Sequence, residues 1–151
     1  MNLCNYIYLL RYSIAKKGAV NTYKNAIKHQ SLNEKDLDEL NHVNNIRYVE
    51  WVQDIAKQHW LKHASQDTLE NYFWVMTNHC IEYKNEAFLN DTIKLKTYIK
   101  SSKGAISTRI VEITNNENDQ LLAKSETKWC LMSMKSKRPA RMTPEIIDLF
   151  M

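Results

Sequence analysis

Between Asn44 and His63 the chain runs for 20 residues without a glycine or a proline. Val49, Val52, Ala56 and Trp60 recur there at spacings of three and four, and Tyr48, Ile55 and His59 widen the same apolar face. Glu50, Asp54, Lys57 and Lys62 fall mostly on the other side. The pattern predicts one helix of about 30 Å. A helix that long cannot be a connector. It carries an apolar stripe that needs a cover of similar length, and this requirement limits the folds open to the chain.

The rest of the sequence supplies strands for that cover. Residues 22–31 read as a short first strand, polar on one face. After the helix, "YFWVMTNHCIEYK" (72–84) is aromatic and β-rich. "DTIKLKTYIK" (91–100) alternates, with Ile93, Leu95 and Ile99 on one side and Lys94, Lys96 and Lys100 on the other. "SSKG" at 101–104 predicts a turn, "AISTRIVEIT" a strand, "NNEND" a second turn, and residues 120–134 a long last strand. Residues 143–150 predict a short closing helix capped by Thr143, with Pro144 at its first position. Short turns make strand neighbours antiparallel. The expected class is α+β: one long central helix wrapped by a curved antiparallel sheet of about five strands.

Size and charge agree with a single compact unit. The chain has 151 residues, 44% of them hydrophobic and 25% charged, enough for one sizeable core. A net charge of +4, from 21 basic and 17 acidic residues spread along the chain, gives no concentrated footprint for nucleic acid. Cys4, Cys80 and Cys130 have no metal-binding spacing and read as reduced thiols of a cytoplasmic protein, with Cys80 and Cys130 as small core residues. The apolar patch in "LCNYIYLLRYSIAKKG" is broken by Asn5 and Arg11, is too short for a bilayer, and makes a poor signal peptide. Residues 1–20 are therefore expected to be an extension, with the folded domain at 21–151. No membrane partner is expected.

The polar crowding lies directly in front of the helix, in "DLDELNHVNNIRYVEW" (36–51). The first turn of a helix leaves backbone N–H groups without partners and favours negative charge. A carbonyl oxygen placed there is polarised, and a nearby carboxylate can attack its carbon or deprotonate a water. Capping and turn formation account for Asp36 and Asn41. They leave Asp38, His42 and Asn45 unexplained, and Asp38, four residues before His42, is the better-placed carboxylate.

This stretch resembles the signature of hotdog-fold thioesterases of the 4-hydroxybenzoyl-CoA thioesterase type, D-x-D-x-x-G-H-V-N-N-x-x-Y. Asp36, Asp38, His42, Val43, Asn44, Asn45 and Tyr48 match it. It is also similar to the D-L-D…H-V-N-N…Y…W stretch of plant-type acyl-ACP thioesterases, matched through Trp51. "YKNEAFLNDTIKLKTYI" and "RPARMTPEI" resemble further family segments, so the likeness spans residues 22–151. It implies a hotdog fold, a homodimer or homotetramer with sites between subunits, and an acyl-CoA or acyl-ACP substrate without a cofactor. By resemblance Asp38 is the catalytic nucleophile or general base, the Asn45 backbone N–H polarises the thioester carbonyl, and His42 orients substrate or water. Asn44, Tyr48, Arg138 and Arg141 are the substrate-binding candidates, the two arginines through the phosphates of CoA. Two positions depart from the pattern. The family's glycine is Asn41, which tolerates a left-handed backbone, and Leu40 stands where plant-type enzymes place an asparagine.

Other features have plainer readings. Glu50 fits a solvated helix face and Glu86 a surface turn. His59 and His63, at i and i+4, are a possible metal pair without an evident third ligand, and helix packing explains them better. His79 in a strand reads as structural. The rival functions are an acyl-ACP thioesterase, a hotdog hydratase, whose D-x-N-P-x-H pattern is absent, and a non-catalytic acyl-binding protein on the same fold.

Overall fold

A computed structural model describes residues 25–150; the expected extension at 1–20 lies outside them. The order is β1 (Asn25–Ser31), α1 (Asn45–His63), α2 (Gln66–Asn71), β2 (Tyr72–Tyr83), β3 (Thr92–Lys103), β4 (Ile106–Asn115), β5 (Leu121–Ser133) and α3 (Pro144–Asp148). The strands form one antiparallel sheet in the order β1-β3-β4-β5-β2, with β1 and β2 at its edges.

α1 begins where the Asn44 side chain accepts from the Ile46 N–H at 2.9 Å, and ends where the Ala64 N–H reaches the Trp60 carbonyl. Tyr48, Trp51, Val52, Ile55, Ala56, His59 and Trp60 are its buried residues. Its first half packs on Ile93, Leu95, Val111 and Leu122 of the sheet. Its second half packs through Trp60 on Trp74, Leu131 and the closing segment with Ile146 and Phe150. Full burial of an aliphatic side chain such as Val52 or Ile55 contributes about 1.5–3 kcal/mol. This is the α+β architecture expected from the element order: one long helix laid against a five-stranded antiparallel sheet. Thr143 caps α3, with Pro144 in its first turn.

Three details differ from the sequence-based expectation. Ser101–Lys103 do not turn; they extend β3, pairing with Thr108, Ser107 and Ile106 after a bulge between Ile99 and Ser101. The reversal is delayed to Gly104, whose φ of 63° suits glycine. α2 was not expected; Ser65 caps it by accepting from the Thr68 N–H at 3.1 Å. Cys80 is exposed, while Cys130 is buried as expected. The cause is a register shift in β2 between Met76 and Asn78. Beyond it Ile81 packs on the core and Tyr83 meets Tyr48, so Cys80, between His79 and Ile81, faces outward.

Candidate active site

The connection from β1 to α1 is a small closed hairpin with a buried root and an exposed tip. At the root, Asn33 and Asp36 cap a single 3-10 turn (Glu34–Asp36) reciprocally. Asp36 is 0% exposed. One of its oxygens accepts from the Asn33 N–H at 3.0 Å, the other from Arg47 Nε at 2.8 Å. Its carbonyl accepts from the Asn44 N–H at 2.8 Å, which fixes where the helix begins. Arg47 also pairs with Glu50 one turn further along.

Leu37 and Val43 then bridge as antiparallel partners, and Asp38–Asn41 form the tip. The Asp38 N–H donates to the His42 carbonyl at 2.7 Å, and the Asn41 N–H to the Asp38 carbonyl at 3.1 Å. Asn41 has φ 60°, in the left-handed region; asparagine supports there the backbone that glycine gives the family pattern. Asp38 Oδ1 accepts from the Leu40 N–H at 2.9 Å and the His42 N–H at 3.1 Å. Its second oxygen has no hydrogen-bond partner among the described residues. Asp38 lines an open cleft with Leu37, Glu39, Leu40 and Asn44.

The helix N-terminus adjoins this tip. Asn44 satisfies Ile46 with its side chain and the Arg47 N–H with its carbonyl. No acceptor for the Asn45 N–H is found among the described residues. His42 Nε2 lies 3.8 Å from Glu86 Oε1, which joins the hairpin to the segment after β2. Four large apolar side chains on these two segments and the first turn of α1 are exposed: Leu40, Ile46, Phe88 and Leu89.

The structure thus brings together Asp38, His42, Asn44 and Asn45. Tyr48 lies beneath them, 3% exposed, edge-on to Trp51 and Tyr83 at 5.3 Å each. Burial, reinforced by Tyr83 and Asp91, pushes its phenol up to about 12. Arg138 and Arg141 are exposed and follow β5, near the start of β2, where the Ser133 N–H donates to the Arg138 carbonyl and the Met134 N–H to that of Asn71. The hairpin lies past the other end of β2, a strand about 40 Å long. Within one chain the arginines are therefore not at Asp38.

Arg47 and the Glu86 contact carried no sequence signal. Arg47 looks like any cation on a helix surface, and the Glu86 contact depends on how β2 ends. Among the described residues no cluster of three His, Cys, Asp or Glu is arranged to hold a metal, and no helix is long and apolar enough to cross a membrane.

Comparison with known proteins adds three likenesses of fold. The chain is similar to the YbaW probable thioesterase of Escherichia coli, at 21% identity and TM-score 0.74, over 82% of this chain and 94% of that one. It is similar to the SAV2348 protein of Staphylococcus aureus, solved in complex with CoA, at 15% identity and TM-score 0.74, over 89% and 85%. It is similar to the 12:0-ACP thioesterase of Umbellularia californica at 11% identity and TM-score 0.73, over 85% of this chain and 51% of that one. No curated protein sequence matches. The family description "Acyl-ACP thioesterase N-terminal domain" matches residues 22–150, nearly the whole chain. The chain therefore belongs to the acyl-ACP thioesterase N-terminal domain family and is a hotdog-fold enzyme that hydrolyses thioesters.

Proposed function

We propose that the chain is a cytoplasmic acyl-CoA thioesterase whose catalytic carboxylate is Asp38, within a domain at 21–151. One observation carries this reading. Asp38 is held through one oxygen by two backbone N–H groups, at a tip that adjoins the Asn45 N–H, and among the described residues neither its other oxygen nor that N–H has a partner. Holding one oxygen fixes the carboxylate without neutralising it. The free oxygen attacks the thioester carbonyl carbon, or takes a proton from the water that does. Negative charge then grows on the carbonyl oxygen, where the Asn45 N–H and the helix N-terminus oppose it. Collapse of the intermediate breaks the carbon–sulfur bond, and the thiolate leaves and takes up the proton drawn from water. Where Asp38 itself has attacked, a water then hydrolyses the acyl–Asp38 anhydride, releasing the acid and restoring the carboxylate. A thioester is less resonance-stabilised than an ester, so no serine–histidine triad is required. His42 orients substrate or water, Asn44 holds the helix end against the substrate, and Tyr48 backs the site from the core.

Among the described residues β2 pairs on one side only, with β5; its outer edge suits pairing with a second copy, which gives a homodimer and, by further association, a tetramer. A two-fold pairing of β2 with β2 runs antiparallel. It would bring the start of one β2, with Arg138 and Arg141 nearby, beside the end of the other. The basic run "KSKRPAR" (135–141) would then meet CoA phosphates at the neighbouring Asp38. The exposed Leu40, Ile46, Phe88 and Leu89 would be covered in the same step or by the acyl chain.

The family match favours a second reading, in which the thioester is carried by acyl-ACP. Thiol release from acyl-CoA and acyl-ACP at equal concentration, across chain lengths, separates the two. Faster release from CoA is expected; release from ACP alone would overturn the carrier assignment, and release from neither would overturn the function.

A further inference from the structure

The hairpin that carries Asp38 is acidic as well as polar. Between Leu32 and Val43 it holds the carboxylates of Glu34, Asp36, Asp38 and Glu39 against a single lysine, Lys35. Asp36 is paired with Arg47 at the buried root. Asp38 and Glu39 remain at the tip, where both line the open cleft with Leu37, Leu40 and Asn44. Glu39 is exposed and makes no ion pair among the described residues. A third exposed carboxylate, Glu86, reaches the same tip from the segment after β2, 3.8 Å from His42 Nε2.

No lysine or arginine lines the cleft. Arg47 is taken by Asp36 and Glu50, and Lys84, after β2, by Glu82. Lys35 belongs to the 3-10 turn at the root and is not part of the lining. Besides charge, the lining offers apolar surface from Leu37 and Leu40, the latter 73% exposed. The field at the tip is therefore negative, and it acts on the part of a substrate that lies nearest. A thioester presented to Asp38 places the first carbons of its acyl group there. Two like charges about 7 Å apart, at an effective dielectric of about 20 to 80, weaken association by about three- to fiftyfold. The phosphates of a CoA carrier are a pantetheine arm away and common to every acyl-CoA, so they drop out of a comparison between acyl groups.

We propose that Glu39 is a specificity-determining residue: with Asp38 it makes the site select neutral acyl groups and turn away those that carry a free carboxylate close to the thioester. The inference rests on the proposed role of Asp38 and names the substrate class of that site. The charge on Asp38 serves the chemistry. That on Glu39 holds no partner and has no part in the attack on the carbonyl, so its effect is on selection alone.

Thioether analogues, which cannot be hydrolysed, isolate this term from turnover. The full chain is titrated calorimetrically with S-butyl-CoA and with its counterpart ending in a carboxylate in place of the methyl group. S-butyl-CoA is expected to bind about tenfold more tightly, two such repulsions at the weak end of the range. Lost apolar contact alone would also favour the butyl group, so two further arms read the charge itself. In Glu39→Gln, an exposed position where folding is not at stake, the ratio of the two affinities should fall at least about threefold. In about 1 M salt, where the screening length drops to about 3 Å, the ratio for the unmodified chain should fall as well. Equal affinities in the unmodified chain, or a ratio that neither Glu39→Gln nor salt reduces, overturns the proposal. Binding of both analogues without discrimination defeats this inference alone and leaves the proposed function standing. Binding of neither defeats the CoA reading together with it.

Discussion

Asp36 and Asp38 are two residues apart, yet they sit in different chemical surroundings. Asp36 forms the root of the hairpin, fully buried, with its carboxylate engaged by Asn33 and Arg47. Asp38 is at the tip beside an open cleft, with one oxygen engaged by backbone and the other without a partner among the described residues. The first spends its hydrogen bonds on holding the start of α1 in place. The second has an oxygen to spare, which the proposed chemistry requires. On that proposal a D-x-D motif that looks like a matched pair is divided between architecture and chemistry, and the leucine between them lies in the bridge to Val43 that separates the two environments.

Perturbing each region tests that division. The largest effect expected is on turnover: Asp38→Ala should lower kcat/KM by about 10²–10⁴, the usual contribution of a positioned acid–base group, with little change in melting temperature. Asp36→Ala should show the reverse. It removes the partner of Arg47, itself about one-third exposed (34% of its side chain), and should cost about 1.5–3 kcal/mol in urea unfolding. The activity of the molecules that remain folded should be largely kept.

Acid provides the third test, on histidines placed away from the hairpin, of which His59 is as fully buried as Asp36. His59 has a folded pKa of about 3, and those of His79 and His63 are also lowered, in each case chiefly by burial. Their folded values lie below the unfolded value near 6.5. As pH falls through 6.5 the unfolded chain takes up protons that the fold refuses, so stability present at pH 7 is lost towards pH 3. For His59 alone the loss between pH 6.5 and pH 5 should be about 2 kcal/mol. Urea unfolding of His59→Gln at pH 7 and pH 5 should show a shallower acid loss than the parent chain. An identical acid loss would mean that His59 is not held neutral. The smallest effect belongs to Asn44→Ala, which should cost about 1 kcal/mol as a lost N-cap, read as a modest drop in melting temperature. Any larger loss of activity than of stability would assign Asn44 to the site as well as to the helix.

Much of this was legible in the sequence, for physical reasons that differ by element. α1 could be read to within a residue because its signal is periodic and local: the expected span was Asn44 to His63, and the helix runs from Asn45 to His63 with Asn44, not Asp36 or Asn41, as its cap. The turn at Asn41 could be read because asparagine is one of the few residues that accept its backbone. Ser101–Lys103 were misread because serine and lysine score as turn residues, while a partner strand can hold them extended on a solvated hairpin. Cys80 was misread because a bulge at Met76/Asn78 reverses the inward and outward alternation after it, and a bulge leaves no residue signature here. At the site, the candidates at 38, 42, 44 and 45 could be picked out because they are close in sequence. The pairing of Asp36 with Arg47, the approach of Glu86 to His42 and the contact of Arg109 with His59 depend on register and tertiary packing. Spacing along the chain carries neither.

The most direct test of the central division is a paired measurement on Asp36→Asn and Asp38→Asn, with thiol release from an acyl-CoA and thermal unfolding recorded on the same samples. Asparagine keeps the shape and the accepting oxygen at both positions and removes the charge. The account predicts that Asp38→Asn melts like the parent chain and loses at least 99% of its turnover, by the lower bound of about 10² for such a group, while Asp36→Asn melts lower and turns over normally once folded. Near-parental turnover in a folded Asp38→Asn would contradict it.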